Sequence, residues 1–274
     1  MNEAVGIIGL GRMGGALLHG LIAAGHDPRR LHVATLEPER LAAAAELGVW
    51  THDDNRALAK ATDTVVLAVK PKDVPLVLPD LADLSEGALC ISVAAGIRSR
   101  SLAAGLPLHA AVVRAMPNTA CLVRAGVTVL FAGPGATEAH AARAETLFSA
   151  VGETERVADE SLLDAVTALS ASGPAFLFTA IEALADGGVL LGLPRDQALR
   201  LAVHAVRGAA ELCRQRGEHP ARLREEVASP AGTTIHGLRA LEEKGFRAAL
   251  IAAVEAAGLR AAELGDQSSS GRSP

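Results

Sequence analysis

Hydrophobic positions in the first half of the chain form short runs that are separated by amphipathic stretches. The runs lie at residues 5–10, 31–35, 64–69, 88–94, 111–114 and 127–131. Apolar residues with helical spacing lie between several of them, at 14–24, 38–47 and 74–84. Continuous apolar runs are typical of strands that are buried on both faces. Their alternation with helices predicts an α/β domain with a doubly wound, mostly parallel sheet.

After about residue 157 the pattern changes, because helical spacing dominates and no convincing strand follows. Helices are predicted at 162–170, 175–191, 195–215, 221–227, 234–243 and 246–263. Gly217 follows a basic last turn, which predicts a helix C-cap. We therefore expect an α/β domain at 1–157, an all-helical domain at 158–265 and a polar tail at 266–274 that is disordered.

A glycine motif directly follows the first apolar run and opens the first predicted helix. With the spacing G-x-G-x-x-G, it comprises Gly9, Leu10, Gly11, Arg12, Met13 and Gly14. The spacing alone is a weak signal, but its place between strand and helix is that of the dinucleotide fingerprint of Rossmann-type domains. The glycines allow a tight turn and close approach of a pyrophosphate, which the helix N-terminus then faces. We expect a dinucleotide site here rather than a plain strand-to-helix turn.

The end of the second predicted strand bears on the choice of dinucleotide. NAD sites usually carry an acid there to bind the ribose 2′-hydroxyl, whereas this chain has Thr35. A small hydroxyl leaves room for a 2′-phosphate, and Arg40 is near enough in sequence to pair with it. Glu37 acts against this expectation, because its carboxylate would repel the phosphate. We expect NADPH as the cofactor, with NADH as the alternative.

Three further strand ends should line the same crevice, since ligands of open α/β sheets bind outside the carboxyl ends of the strands. These ends comprise Ala68, Val69, Lys70 and Pro71 after the third strand, Ala94 and Ala95 after the fourth, and Asn118 after the fifth. The Asn118 carboxamide can donate to and accept from a nicotinamide carboxamide. It is equally a turn former, and the sequence does not separate the two roles.

Composition and charge exclude several classes of function. The net charge of −5 over 274 residues argues against a non-specific nucleic-acid binder, and the 2% aromatic content against a base-stacking platform. No run approaches the roughly 18 consecutive apolar residues of a membrane span, and an acid stands where a signal peptide is basic. Three cysteines without metal-ligand spacing favour a reducing cytoplasm and no metal site.

The segment SPAGTT, at 229–234, separates two predicted helices of the second domain. Free backbone amides at the start of the following helix make an anion site, to which Ser229, Thr233 and Thr234 add hydroxyl donors. A carboxylate is a natural ligand. Without other information, however, an ordinary threonine N-cap is the simpler explanation.

These segments together resemble the pyrroline-5-carboxylate reductases. The matching blocks, in family order, are IGLGRMGGALLHGL, AVKP, ISVAAG, RAMPNTA, ALSASGPAFLFTAIEALADGGVLLGLPR and EHPARLREEVASPAGTTIHGLRALEEKGFRAAL. They cover nearly the whole chain, and the last two are specific to the family. The resemblance implies NAD(P)H-dependent reduction of 1-pyrroline-5-carboxylate to L-proline, the last step of proline biosynthesis. It also implies a helical domain that interlocks two subunits in a homodimer, which can assemble further into a decamer.

The resemblance also implies roles for individual residues. It adds Asn55 to the cofactor residues given above, and it places Glu160 near a position that contacts the product. The substrate carboxylate would bind at Ser229, Gly232, Thr233 and Thr234. Thr234 is the implied catalytic residue, with its hydroxyl near the ring nitrogen. A protonated imine is already electrophilic, so hydride transfer needs mainly proximity and orientation.

Two positions depart from the family pattern, since Ala120 stands in place of a proline and Ala231 in place of a glycine. We expect Ala120 only to loosen a turn. Ala231 matters if its position needs positive φ, which costs a residue with a Cβ about 1 kcal/mol or more.

Two other functions stay open at this point. A β-hydroxyacid-dehydrogenase-like NADP oxidoreductase joins the same nucleotide fold to a helical domain. Enzymes of that kind resemble each other in having a catalytic lysine on a central helix. The predicted helical domain has no lysine before Lys244. A non-catalytic NADP-binding regulatory protein would keep the glycine motif and need not keep the SPAGTT segment.

Overall fold

The structure, a computed structural model, describes residues 3–269. The chain divides into two compact units. The first contains the residues up to Ser172 together with those from Ala256 onward, and the second is Gly173–Glu255. Every strand among the described residues lies in the first unit, and the second unit is helical. The predicted fold class, an α/β domain followed by a helical domain, is therefore confirmed.

One eight-stranded sheet forms the centre of the first unit. Its strands are β1 Val5–Ile8, β2 Leu31–Ala34, β3 Trp50–His52, β4 Thr64–Leu67, β5 Leu89–Ser92, β6 Ala111–Met116, β7 Gly126–Ala132 and β8 Gly152–Arg156. Their spatial order is β3-β2-β1-β4-β5-β6-β7-β8. The first six strands are parallel, β7 is antiparallel to β6, and β8 is parallel to β7. The order reverses between β1 and β4, which is the topological switch point of a Rossmann-type sheet.

Helices cover the sheet and build the second unit. The α-helices are α1 Arg12–Ala23, α2 Pro38–Glu46, α3 Asn55–Lys60, α4 Val74–Val77, α5 Ser99–Ala104, α6 Glu138–Phe148, α7 Leu162–Val166, α8 Gly173–Leu190, α9 Arg195–Arg216, α10 Pro220–Val227, α11 Thr233–Glu243 and α12 Phe246–Ser269. Short 3-10 helices lie at Pro28–Arg30, Pro71–Asp73, Leu78–Leu81 and Thr119–Val123, and a π-helical turn at Thr167–Ala171. Gly217 ends α9 with φ of 61°, as its predicted C-cap role requires.

Two predicted elements differ from the structure. The helix predicted at 74–84 is the short α4 followed by a 3-10 turn, because Pro79 has no amide to continue the α-helical bonds. The tail predicted at 266–274 is helical at 266–269, as the end of α12, and its remaining residues lie outside those described. The compact first unit continues past the predicted boundary at 157/158 to Ser172, with Leu163 of α7 packed against Met116 and Val129 of the sheet, and the boundary itself stays a prediction.

Alternate residues of the buried strands enter two separate cores. Val5 and Ile7 of β1 belong to the cluster that also contains Leu17 and Leu21 of α1. Ile8 belongs to the cluster on the opposite face, together with residues of α3 and α5. Successive side chains of a strand point to opposite faces, so continuous apolar strands supply both layers. This explains why the runs in the sequence show no polar alternation.

The second unit buries very little of its apolar surface. Of its described residues only Ala185, Ala198 and Ala202 are buried, where α8 packs against α9. Gly188 allows that approach, because a Cβ there would lie 3.1 Å from the Ala198 Cβ. By contrast Leu190 and Leu191 are 90% and 88% exposed. A core of three alanines cannot offset the entropy of ordering these helices, so this unit needs a partner surface.

One helical run, Leu162–Leu190, is long and apolar enough to cross a membrane by length and composition. Only 11% of its most apolar window is buried. A single run of this kind is weak evidence for a membrane span, because core helices of soluble proteins meet the same criteria. Most of this run is α8, so it forms part of the exposed apolar surface of the second unit.

A buried ion pair connects α7 to the sheet within the first unit. Arg114 of β6 has only 2% of its side chain exposed and donates to the Glu160 carboxylate at 2.9 Å. The same carboxylate accepts hydrogen bonds from the Ser99 amide, at 2.6 Å, and the Ser99 hydroxyl, at 2.8 Å. Burial disfavours the charge of Glu160, but the bonds from Ser99 and Arg114 outweigh it and hold its pKa below the ordinary 4.5. The pair therefore stabilises the fold while Glu160 is ionised.

This network gives a pH-dependent prediction for Glu160→Gln. We expect the variant to lose about 3 kcal/mol of stability at pH 7, because Arg114 stays buried without its counter-charge. The folded pKa lies below the unfolded one, so the stabilisation is present above about pH 4.5 and is lost as pH falls through the folded value. Denaturation from pH 7 down to pH 3 should show the difference from wild type shrinking with acid. Glu155→Gln, on the exposed β8, is the control, and a constant difference at all pH values would contradict the ion-pair account.

Candidate functional site

A crevice of about 570 Å³ opens at the switch point of the sheet. Gly9 follows β1 and donates its amide to the Ala34 carbonyl at 2.8 Å, and Ala68 follows β4 and donates to the Ile8 carbonyl at 2.8 Å. These bonds set the ends of β1, β2 and β4 side by side, and all three ends line the crevice. Of the predicted cofactor residues, the lining contains Gly9, Leu10, Gly11, Thr35, Asn55, Ala68, Val69 and Lys70.

The glycine motif fits the backbone geometry of a dinucleotide loop. Gly9 has φ of 92°, which a side chain would strain. A Cβ on Gly14 would lie 2.0 Å from the Gly9 carbonyl oxygen, which is backbone and cannot move aside. A Cβ on Gly11 would meet only the end of Arg40, at 3.9 Å. The loop is therefore tightly packed against α1 at Gly14, whereas space remains at Gly11, as close approach of a pyrophosphate requires.

The start of α1 offers backbone donors beside this opening. Gly11 is its N-cap and supplies no side-chain bond, and the first turn carries no acid. The first amides of an α-helix have no partner within the helix. Their donors and the helix dipole favour a phosphate here.

Other predicted cofactor residues lie outside the crevice lining. Arg12 lines an adjoining groove of about 750 Å³ on α1, and Met13 packs against the core. Pro71 begins a 3-10 helix and is exposed. Ala94 and Ala95 follow β5, with Ala94 buried and Ala95 exposed. Their contact with a cofactor stays a prediction.

Arg40 is held by two partners on the side of the glycine motif. Its Nη1 donates to the Leu10 carbonyl at 2.6 Å, and its Nε lies 2.8 Å from a Glu37 carboxylate oxygen. Arg40 lines the groove on α1, whereas Glu37 lines the crevice. The predicted pairing of Arg40 with a 2′-phosphate therefore competes with these two contacts.

The two asparagines predicted to bind cofactor already make contacts within the protein. Asn55 begins α3 and donates its side-chain amide to Asp80 at 3.0 Å. Asn118 accepts the Ala120 amide at 3.2 Å through its side-chain oxygen, so its turn-forming role is observed. That bond also corrects the expectation for Ala120. A proline there would have no amide to donate, so alanine adds a bond to the turn instead of loosening it.

Sequence reasoning missed several charged residues that line or support this unit. The crevice is also lined by Asp53, Asp54, Asp73 and Asp80, and Asp54 caps α3 by accepting the Ala57 amide at 2.7 Å. Arg114 was missed as the buried partner of Glu160, although a charged residue inside the apolar strand AVVRAM is itself a signal of a buried pair. With both carboxylate oxygens of Glu160 engaged in that network, its contact with product stays a prediction.

The SPAGTT segment of the second unit forms a turn followed directly by α11. The Gly232 amide donates to the Ser229 carbonyl at 3.1 Å, which closes a four-residue turn with Pro230 in its second position. Ala231, in the third position, has φ of 57°. Proline followed by positive φ is typical of a type II turn, in which the third residue is usually glycine. The family departure at Ala231 thus falls where a Cβ is strained.

The helix that follows has no side-chain cap. Its N-cap is Gly232, so the simpler explanation of a threonine N-cap is wrong. The Gly232 amide is used by the turn, which leaves the amides of Thr233, Thr234 and Ile235 without partners inside the helix. A Cβ on Gly232 would lie 2.2 Å from the Ser229 hydroxyl, so glycine brings that hydroxyl next to the helix start. The described turn therefore presents amides and hydroxyls together, as a carboxylate site requires.

Among the described residues no group of three or more His, Cys, Asp or Glu side chains is placed to hold a metal ion. The hydrogen-bond donors of the cofactor crevice and of the SPAGTT segment are mainly backbone amides, hydroxyls and carboxamides. They suit phosphates, carboxylates and ribose hydroxyls.

Comparisons with known proteins cover most of the chain. A family model described as pyrroline-5-carboxylate reductase dimerisation matches residues 160–264, and one described as NADP oxidoreductase coenzyme F420-dependent matches residues 4–96. The pyrroline-5-carboxylate reductase of Methanosarcina acetivorans is 43% identical over 267 residues, which are 96% of this chain and 98% of that protein.

Two solved structures agree with the sequence comparison. A pyrroline-5-carboxylate reductase from Coxiella burnetii superposes with a TM-score of 0.91 at 37% identity, covering 96% of this chain and 99% of that one. The pyrroline carboxylate reductase of Plasmodium falciparum, solved with NADP bound, gives 0.86 at 29% identity, with 96% and 98% covered. The resemblance predicted from the sequence is thereby confirmed. This chain belongs to the pyrroline-5-carboxylate reductase family.

Proposed function

We propose that this protein reduces 1-pyrroline-5-carboxylate to L-proline with NADPH, as the last step of proline biosynthesis. The observation that carries the proposal is similarity over nearly the full length of family members, with both functional segments present. The glycine-lined crevice fits a dinucleotide, and the uncapped start of α11 fits a carboxylate. The matched NADP oxidoreductase model and the NADP-bound relative support NADPH as the cofactor.

The residues of the crevice would hold the cofactor by backbone more than by side chain. Gly9 and Gly11, with the first amides of α1, would bind the pyrophosphate, and Gly14 would hold α1 close to β1. The strand end from Ala68 to Lys70 lines the same crevice, and we place the nicotinamide ribose there. When bound, NADPH supplies the hydride that the reaction needs. The protein supplies position and orientation, which can contribute about 7–11 kcal/mol to such a transfer.

The turn before α11 would bind the substrate. The amides of Thr233 and Thr234 would hold the carboxylate, and the Ser229 hydroxyl, brought close by Gly232, would add a donor. This orientation leaves the Thr234 hydroxyl available to the ring nitrogen. The imine nitrogen carries its proton before reduction, so the hydride adds to carbon and no side chain must act as an acid.

Self-association follows from the helical unit. Its exposed leucines and its small core need a covering surface, and the matched dimerisation model spans this region. We propose a homodimer through these helices, with a decamer as a further level of assembly. We place the protein in the cytoplasm, where its free cysteines stay reduced.

The reaction and the role of Thr234 are tested together. Purified protein should oxidise NADPH in a spectrophotometric assay only when pyrroline-5-carboxylate is added, and proline should be the product. Thr234→Ala should lower turnover about ten- to a hundredfold, the worth of a hydrogen bond to a charged group. NADPH affinity should be unchanged, and Thr234→Ser should restore turnover.

Two results would contradict these roles. Unchanged turnover in Thr234→Ala would remove its hydroxyl from the mechanism. Oxidation that does not respond to pyrroline-5-carboxylate, but responds to a β-hydroxyacid or to nothing, would favour one of the two alternative functions.

The cofactor loop is tested with two neighbouring glycines. Gly14→Ala places a Cβ 2.0 Å from the Gly9 carbonyl oxygen and must push α1 away from β1. We expect NADPH affinity to fall at least tenfold by isothermal titration calorimetry. Gly15→Ala makes the same change one residue later, where the Cβ meets the Leu10 carbonyl oxygen at an ordinary 3.8 Å. Equal affinities for the two variants would contradict the close-packing role of Gly14.

The strained turn is tested by restoring glycine. Ala231→Gly should raise the stability of the helical unit by about 1 kcal/mol, since φ of 57° is costly for alanine. Ala228→Gly is the matched control, because Ala228 has φ of −94° and gains nothing from glycine. It should lower stability by about 0.5–1 kcal/mol. Chemical unfolding compares the two, and a loss of stability in both would contradict the strain.

A further inference from the structure

The loop between β2 and α2 places a carboxylate at one end of the cofactor crevice. The loop consists of Thr35, Leu36 and Glu37, and all three line the crevice. The Glu37 amide donates to the Thr35 hydroxyl oxygen at 3.4 Å, which orders the loop. Glu37 occupies the N-cap position of α2, but its side chain makes no capping bond. The carboxylate is therefore not used at the helix start, and it forms an ion pair with Arg40 instead.

Arg40, the ion-pair partner of this carboxylate, lies outside the crevice lining. Arg40 contacts Glu37 through Nε and the Leu10 carbonyl through Nη1, and it lines the groove on α1. The crevice itself carries more acid at this end, since Asp53 and Asp54 are also among its lining residues. The Glu37–Arg40 pair is half exposed on both sides, at 52% and 48%. The Glu37 side chain thus keeps about half of its surface open to a ligand while it is paired with Arg40.

These charges matter because the end of the second strand is where a Rossmann-type crevice meets the adenosine ribose. A carboxylate there can accept a hydrogen bond from a ribose 2′-hydroxyl. The same carboxylate repels a 2′-phosphate, which carries the only charge difference between the two nicotinamide dinucleotides. Thr35 leaves space for either substituent, so the discrimination falls to the charged groups of the loop.

We propose that Glu37 is a specificity-determining residue that keeps the crevice open to NADH as well as NADPH. This inference rests on the proposed function, since it concerns the cofactor of that reaction. Glu37 acts in two ways. Its carboxylate accepts from the 2′-hydroxyl of NADH, and it holds the Arg40 guanidinium beside the glycine motif, away from a 2′-phosphate. Wild-type protein then prefers NADP⁺ over NAD⁺ by no more than about tenfold.

The test measures dinucleotide binding without substrate, so that it does not depend on catalysis. NADP⁺ and NAD⁺ are titrated calorimetrically into wild type, Glu37→Gln and Glu39→Gln. The Glu39 change removes the same charge from the same helix turn, at an exposed residue outside the crevice lining. Glu37→Gln should tighten NADP⁺ five- to tenfold, weaken NAD⁺ two- to threefold and thus raise the preference for NADP⁺ at least tenfold. Glu39→Gln should move the preference less than twofold.

Arg40 provides a second, independent readout. If Glu37 restrains Arg40, the double variant Glu37→Gln/Arg40→Ala should lose most of the increase in NADP⁺ preference that Glu37→Gln alone produces. Raising the salt concentration should also reduce that increase. A preference in Glu37→Gln within twofold of wild type would overturn the inference, as would a wild-type preference for NADP⁺ clearly above tenfold. A wild-type protein that binds neither dinucleotide would overturn the proposed function along with it, whereas binding with no reduction would contradict the function alone. Circular dichroism and the melting temperature confirm that each variant is folded.

Discussion

The contact between Gly14 and the carbonyl oxygen of Gly9 is the constraint on which the nucleotide-binding unit depends. Helix α1 can begin directly above the end of β1 only because Gly14 has no Cβ, which would lie 2.0 Å from that oxygen. Gly20, two turns later, likewise lets α1 lie against Val151, whose Cγ1 would be 2.3 Å from a Cβ. The helix is thereby held close to β1 at its start and to the residue before β8 near its end. The amides at its start then lie beside the crevice, where Gly11 adds no side chain.

The same use of small residues has a different consequence in the helical unit. Alanines and Gly188 let α8 and α9 approach closely, but small side chains bury little apolar area per residue. The larger side chains remain on the outside, with Phe178 at 65% exposed. The alanine- and glycine-rich contact between α8 and α9 therefore accounts both for the close packing of these helices and for the large apolar side chains left on their outer surface. Both features suit a unit that obtains most of its hydrophobic burial from a second subunit.

Elements with strong periodic signals were predicted well, and those set by context were not. The buried strands and the long helices α8, α9 and α12 stand out because apolar side chains repeat over many residues. The edge strands β3 and β8 were missed, since β3 has three residues and β8 reads GETER. None of their residues is buried, so no apolar pattern is required, and β8 can carry charged side chains. They become recognisable only through their pairing with β2 and β7.

The sequence by itself determined the fold class, the dinucleotide motif and the family, because those depend on local spacing and on blocks of consecutive residues. The tertiary structure alone decided how individual polar groups are used. Glu160 meets Arg114 across 46 residues and Ser99 across 61. Arg40 reaches back 30 residues to the Leu10 carbonyl. A polar side chain bonds to whichever donor or acceptor the fold brings within about 3 Å. Residues so distant along the chain become neighbours only through the packing of the sheet, so their roles follow from the fold and not from their spacing.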